Sequence, residues 1–322
     1  MSESKTMNEK EKAYFKNLNS NSKELKNKKI IYLYFCLNNY KRQNNNILYL
    51  PKEIQRHIVE YFDNIYTNES LKKLVERCKT NNNYLCLKNI DTSCVTSMVW
   101  LFENHYTFNE DISNWNVSNV ENMFGIFYNC HKFNQPLNKW NVSNVNNMFH
   151  MFNCCYSFNQ PLNDWVVSNV KIMTYMFAEC RTFNQPLNKW NVSNVKVMSY
   201  MFTNCTSFNQ PLDDWNVSNV MHMRNMFYYC CNFNQPLNKW NVSKVNNMTC
   251  MFSNCFDFNQ PLDNWDVSNA DFVDYMFNNC ENYNQNLTTW NLKKIIQLCD
   301  PFNGATKMEK SNKPTVVRIF CS

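Results

Sequence analysis

The chain has 322 residues, only two of them Gly, and a formal charge of +6. That length can bury a sizeable core, and two glycines exclude a Gly-rich phosphate loop. The charge is local: residues 1–46 hold ten Lys/Arg against four Asp/Glu, and the remainder balances, so net charge gives no support for nucleic-acid or membrane binding by the rest of the chain.

Residues 1–46 read as a basic, largely disordered, solvated arm. The opening MSESKTMNEKEK is polar, and the first apolar run, Ile30 to Leu37, is too short to span a bilayer. No secretory signal is expected, and the expected location is cytoplasmic. The sixteen Cys then read as thiols. NVS sequons at Asn116, Asn141, Asn191, Asn216 and Asn241 would stay unmodified without export.

Residues 47–84 carry two amphipathic stretches. Ile54, Ile58, Tyr61 and Phe62 share one helical face, and Leu71, Leu74, Val75 and Cys78 share another. Pro51 suits a first helical position. A hairpin of this size buries little core by itself, so it must pack on a partner or on the first repeat. The pattern LPxEIxxxIxxYF…LxxLVxxCK resembles an F-box, though the usual aromatic after the Cys is missing, with Asn81 to Asn83 in its place. The resemblance implies that Leu50, Pro51, Glu53, Ile54, Ile58, Phe62, Leu71 and Leu74 contact a Skp-type linker protein. The alternative is a helical cap over the first repeat.

From Leu87 the chain repeats every 25 residues. Trp recurs at 115, 140, 165, 190, 215, 240, 265 and 290, and Cys at 130, 155, 180, 205, 230, 255 and 280. A fixed period in the twenties predicts a solenoid, here about nine turns over residues 85–302, followed by a capping tail at 303–322. Within a turn, Leu137, Trp140 and Val142 suit a short extended run. Val145, Met148, Met151, Phe152 and Cys155 are spaced for a helical turn or two behind a Ser143 N-cap, with capping-box relatives at Ser118…Glu121 and Ser268…Asp271. Pro161 is expected at a strand entrance, and Asn is expected to fill left-handed turn positions that Gly would usually take. The Asn of FNQ (Asn109, then Asn134 through Asn284) should form a ladder joining turns.

The motif FNQPLNxWxVSNVxxMxxMFxxC resembles the BspA-like class of leucine-rich repeats, in particular the 25–26-residue repeat of mycoplasma and Listeria surface proteins, which also appears in large DNA viruses and protists. The resemblance implies an α/β, leucine-rich-repeat-like solenoid and a protein-binding surface, with no enzyme activity and no cofactor. The position before Trp alternates in sign through Lys139, Asp164, Lys189, Asp214 and Lys239. These charges either pair across neighbouring turns or form a concave partner-binding face. Outward aromatics at His150, Tyr175, Tyr200 and Tyr275 either pack along the flank or anchor a partner. The Cys column, at a spacing of 25, reads as buried small hydrophobes and not as a metal site. His57, His105, His131, His150 and His222 share no catalytic spacing. F-box plus repeats is an arrangement of cullin-type ubiquitin-ligase substrate adaptors, and this is the expected function. The alternative is a surface, adhesion or general interaction protein. In either case the expected chain is a monomer with protein partners, no metal and no membrane span.

Overall fold

The computed structural model describes residues 65–292, 294–295 and 299–315. One α-helix, α1 (Asn68–Asn81), precedes the repeats, with a capping box in which Ser70 N–H donates to the Thr67 side chain and Thr67 N–H to the Ser70 side chain. A short 3₁₀ helix follows at Leu85–Asn89. Beyond it the chain forms coils of 25 residues that stack in register. Parallel bridges join Ser97, Asn122, Asn147, Ile172, Val197, His222, Asn247 and Phe272 in succession.

The expected helical segment is not helical. Among the described residues of the repeats there is no α-helix and no extended strand, only turns and isolated bridges. Between Met148 and Cys155, N–H groups alternate in purpose. Met148, His150, Phe152 and Cys154 donate to Ile172, Thr174, Met176 and Ala178 of the next coil, while Met151, Asn153 and Cys155 donate three residues back. His150 and Cys154 have φ of 56° and 61°, the left-handed sign that a type II turn needs at its third residue. Linked turns also bring every third or fourth side chain inward, so they imitate helical spacing. The expected capping boxes dissolve for the same reason, since Asn116 Oδ1 accepts the Ser118 N–H in a local turn and no helix follows. The run Leu137–Trp140 is likewise a turn, closed by Trp140 N–H to Leu137 O at 3.0 Å.

Direct backbone bonds between coils are confined to the arc of residues 146–157 and its equivalents, apart from the ends of the stack. Side chains join the remaining arc. Each Asn of FNQ accepts, through Oδ1, the N–H of its counterpart in the next coil; Asn134 to Asn159 and Asn159 to Asn184 are 2.9 and 3.0 Å. Each indole donates to a Leu-column carbonyl 28 residues earlier, as Trp165 does to Leu137 O at 3.0 Å. Pro161 sits on this arc, where coil-to-coil bonding needs no backbone N–H from it. Each Cys thiol of the 25-residue column donates to a Phe carbonyl, as Cys180 does to Phe152 O at 3.1 Å, so Cys supplies a donor that Ala or Val would lack. Burial drives these thiols well above their ordinary pKa, which keeps the proton on sulfur.

Inside, the rings stack in columns. Phe152–Phe177 centroids are 5.6 Å apart, Phe158–Phe183 6.0 Å and Trp190–Trp215 6.3 Å with planes 1° apart. Every Trp of the column is at most 5% exposed. Burying each such side chain contributes about 1.5–3 kcal/mol.

Both ends differ from the expected boundaries. Residues 65–84 belong to the stack: Ile65 bridges to Asp91, Tyr66 N–H donates to Asp91 O, and Leu71, Leu74, Val75 and Cys78 of α1 are buried in the same core as the first coil. The cap reading therefore holds for α1. At the other end the pattern runs past Phe302, with Ala305 and Met308 buried and Asn312 accepting the Leu287 N–H at 2.8 Å. The Lys313 ammonium lies 5.1 Å from the Phe302 ring centre and covers that column.

Asn159 receives both the Asn184 N–H and the Gln185 Nε2–H. Asn159→Ala should lower unfolding free energy by roughly 1–3 kcal/mol, read from denaturant midpoints, whereas Asn159→Asp, which keeps the acceptor, should lose less.

Candidate functional site

Two outward surfaces of the stack contrast in sequence. On the arc of residues 133–145 and its equivalents most outward residues recur from coil to coil, because Asn, Gln and Ser there hold neighbouring coils together; the Lys/Asp column before Trp is the exception. On the laddered arc, where backbone does that work, outward side chains are free to differ. One position reads Phe149, Thr174, Ser199, Arg224, Thr249, Asp274; the next reads His150, Tyr175, Tyr200, Asn225, Cys250, Tyr275, with Thr174, Ser199 and Asn225 covered by their neighbours.

This variable arc carries a half-exposed aromatic ladder. Tyr175 stacks on Tyr200 with centroids 4.3 Å apart, His150 on Tyr175 at 4.6 Å, and the Arg224 guanidinium lies 5.9 Å from the Tyr200 ring centre. At the other end Trp100 reaches across Gly125 to Phe124 at 4.4 Å and to His150 at 6.3 Å. Gly125 has φ +60°, and a Cβ there would fall inside the Trp100 ring. Rings in such a stack cover one another's faces and present their edges outward. A shorter parallel ladder, Tyr106, His131 and Tyr156 capped by Arg181 at 4.6 Å, runs beside it.

The sequence places His150, Tyr175, Tyr200 and Tyr275 outward, but Trp100, Phe124, Phe149, Gly125 and Arg224 are missing from that set. The signal for them is column variability between repeats.

The charged column is a pairing device. Lys189 bridges Asp164 at 2.8 Å, and Lys239 bridges Asp214 at 3.1 Å and Asp213 at 3.0 Å. Lys139 is exposed in the same column. Such exposed pairs contribute little, roughly 0–1 kcal/mol. Lys139, Asp164, Lys189, Asp214 and Lys239 are all exposed and lie on the arc that the Asn ladder joins, apart from the aromatic ladder.

Of the residues implied to meet a Skp-type linker, Leu71 and Leu74 are 1% and 8% exposed, in the core they share with the first coil. Leu50, Pro51, Glu53, Ile54, Ile58 and Phe62 lie outside the described residues, as does the basic arm. An open groove of about 770 Å³ runs past Asn209, Asn234, Asn259, Asn284 and Glu309. These residues are engaged with one another in the Asn ladder. Among the described residues no three His, Cys, Asp or Glu side chains come together as a metal site, and no helix is long and apolar enough to cross a membrane.

His105 takes the Cys position of the first repeat. It is buried, and its Nδ1 is hydrogen-bonded to the Tyr84 hydroxyl at 2.9 Å. Burial, with a smaller push from Lys79, lowers its pKa to about 4. His150, buried by its ring neighbours, is also lowered to about 4.

The chain matches the family profile described as "Mycoplasma protein of unknown function, DUF285" over residues 69–180, 156–230 and 211–314. No curated protein and no solved structure matches it.

Because the folded-state pKa of His105 lies below the unfolded value, the neutral ring is the native form. Its stabilisation is complete above about pH 6.5 and is lost as pH falls through about 4. Acidification from pH 7 to 4 should cost up to roughly 3 kcal/mol at this site, and His105→Gln should flatten that part of the pH profile of the denaturant midpoint. Gly125→Ala should destabilise by about 1–3 kcal/mol and reduce the tryptophan fluorescence anisotropy contributed by Trp100.

Proposed function

The chain belongs to the DUF285 family of repeat proteins, and from that premise we propose that it is a non-enzymatic protein-binding scaffold, its coils forming a leucine-rich-repeat-like solenoid. The partner surface is the variable arc centred on Tyr175 and Tyr200. The observation that carries this reading is the division of labour between the two arcs. One surface is largely fixed, outside its Lys/Asp column, by what the coils need from each other, and the other varies from coil to coil while exposing aromatic side chains and an Arg. Aromatic and Arg side chains are the residue types that anchor protein interfaces most often.

The finer role, a substrate adaptor of a cullin-type ubiquitin ligase, would have to be carried by Leu50 to Phe62, because Leu71 and Leu74 are spent on the core. The scaffold reading does not depend on it. An adhesion or general interaction protein would use the same arc.

A photo-crosslinking amino acid placed singly at Tyr200, at Tyr275 or at Lys189 tests the surface in cells that make the protein. Crosslinks to one common partner from positions 200 and 275, and none from 189, are expected. Tyr175→Ser with Tyr200→Ser should reduce recovery of that partner at least tenfold without changing the denaturant midpoint by more than about 1 kcal/mol. Crosslinks from 189 alone would overturn the assignment.

A further inference from the structure

Where α1 ends, two thiols meet. Cys78 Sγ lies 3.3 Å from Cys86 Sγ. Cys78 is buried beneath the helix, and Cys86, in the 3₁₀ helix, is exposed. The approach follows from the helix stop. Asn82 is left-handed at φ 46°, its N–H returns to the last turn, and Asn83 N–H bonds Cys78 O at 3.0 Å. Asn83 Oδ1 then accepts the Leu85 N–H at 3.1 Å, which folds the chain back so that residue 86 covers residue 78. Leu87 enters the core one residue later. The repeats' Cys column is different in kind, because those thiols are fully enclosed and each donates to a carbonyl.

We propose that Cys78 and Cys86 form a thiol-modification site that small-molecule disulfides of the glutathione class convert to an intramolecular disulfide, fastening α1 to the first coil. The exposed Cys86 thiolate attacks the small disulfide, forming a mixed disulfide and releasing one small thiolate. Cys78 then loses its proton to solvent and attacks the Cys86 sulfur, expelling the second small thiolate. Two protein thiols are oxidised, one small disulfide is reduced to two thiols, and both protons end on those thiols or in solvent. Burial of Cys78 holds its proton tightly, so the first step belongs to Cys86 and the second is the slower.

The fastening matters because α1 is what closes the N-terminal end of the stack. A short loop closed by a disulfide removes freedom from the unfolded chain, so the oxidised protein should resist loss of its cap.

The test uses the full chain, reduced and then exposed to oxidised glutathione, with the products mapped by mass spectrometry after alkylation. A peptide pair joined through Cys78 and Cys86 is expected, with a thermal midpoint a few degrees higher that reverts on reduction. Cys78→Ser should stop at a glutathione adduct on Cys86, and Cys86→Ser should gain neither the adduct nor the midpoint shift. A wild-type product that carries a stable adduct on Cys86 with Cys78 still alkylatable overturns the proposal. Cys78 joined to any other Cys overturns it equally.

Discussion

The stack depends on backbone N–H groups that leave their own coil. On the laddered arc, every second donor from Met148 to Cys154 goes to the coil that follows, and of the donors between them Met151 and Asn153 close turns three residues back while Phe149 donates to Asn147 Oδ1. A coil by itself would leave those groups unpaired, with nothing to enclose its Leu, Trp, Met and Phe. Buried polar groups without partners are expensive, so neither the ladder nor the core can form without the next coil. The same rule explains the ends. Something must finish each open face, and α1 does so on one side while residues 302–313 do so on the other.

Backbone bonding on one arc has a second effect, because it separates structural duty from surface identity. Where Asn, Gln and indole side chains hold coils together, those residues cannot change without loss of a bond. Where the main chain holds them, the side chain is spare. The left-handed positions show how far this goes. Asn fills many of them, as at 104, 129, 204 and 254, but Trp100, His150, Tyr175, Glu179 and Tyr200 sit there too. A non-Gly residue in that region carries strain, which bonding to both neighbouring coils holds in place.

The period, the core columns, the Asn ladder and the Lys–Asp pairing were all legible in the sequence, because each is a contact between one residue and its own copy 25 positions away. The local conformation was not. Val145, Met148, Met151, Phe152 and Cys155 satisfy helical spacing as well as they satisfy linked turns, and side-chain periodicity cannot tell where an N–H points. A distinguishing signal was present: Gly304 falls in a column that Asn occupies at 104, 129, 204, 254 and 279, the pattern of a left-handed turn position and not of a helix interior. The aromatic ladder was only partly legible: His150, Tyr175, Tyr200 and Tyr275 share a column, whereas Trp100, Phe124 and Arg224 join it only through contacts between neighbouring coils.

The alternation of Lys and Asp before the five Trp residues from Trp140 to Trp240 gives that part of the stack a parity. The hydrophobic columns would accept the gain or loss of a single unit, since every unit presents the same apolar face. Removing the coil of Asp214, however, would bring Lys189 beside Lys239, and like charges in adjacent cross-strand positions repel. Duplication or deletion is thus smoothest in fifty-residue steps, and length variants of this architecture should favour exchange of coils two at a time.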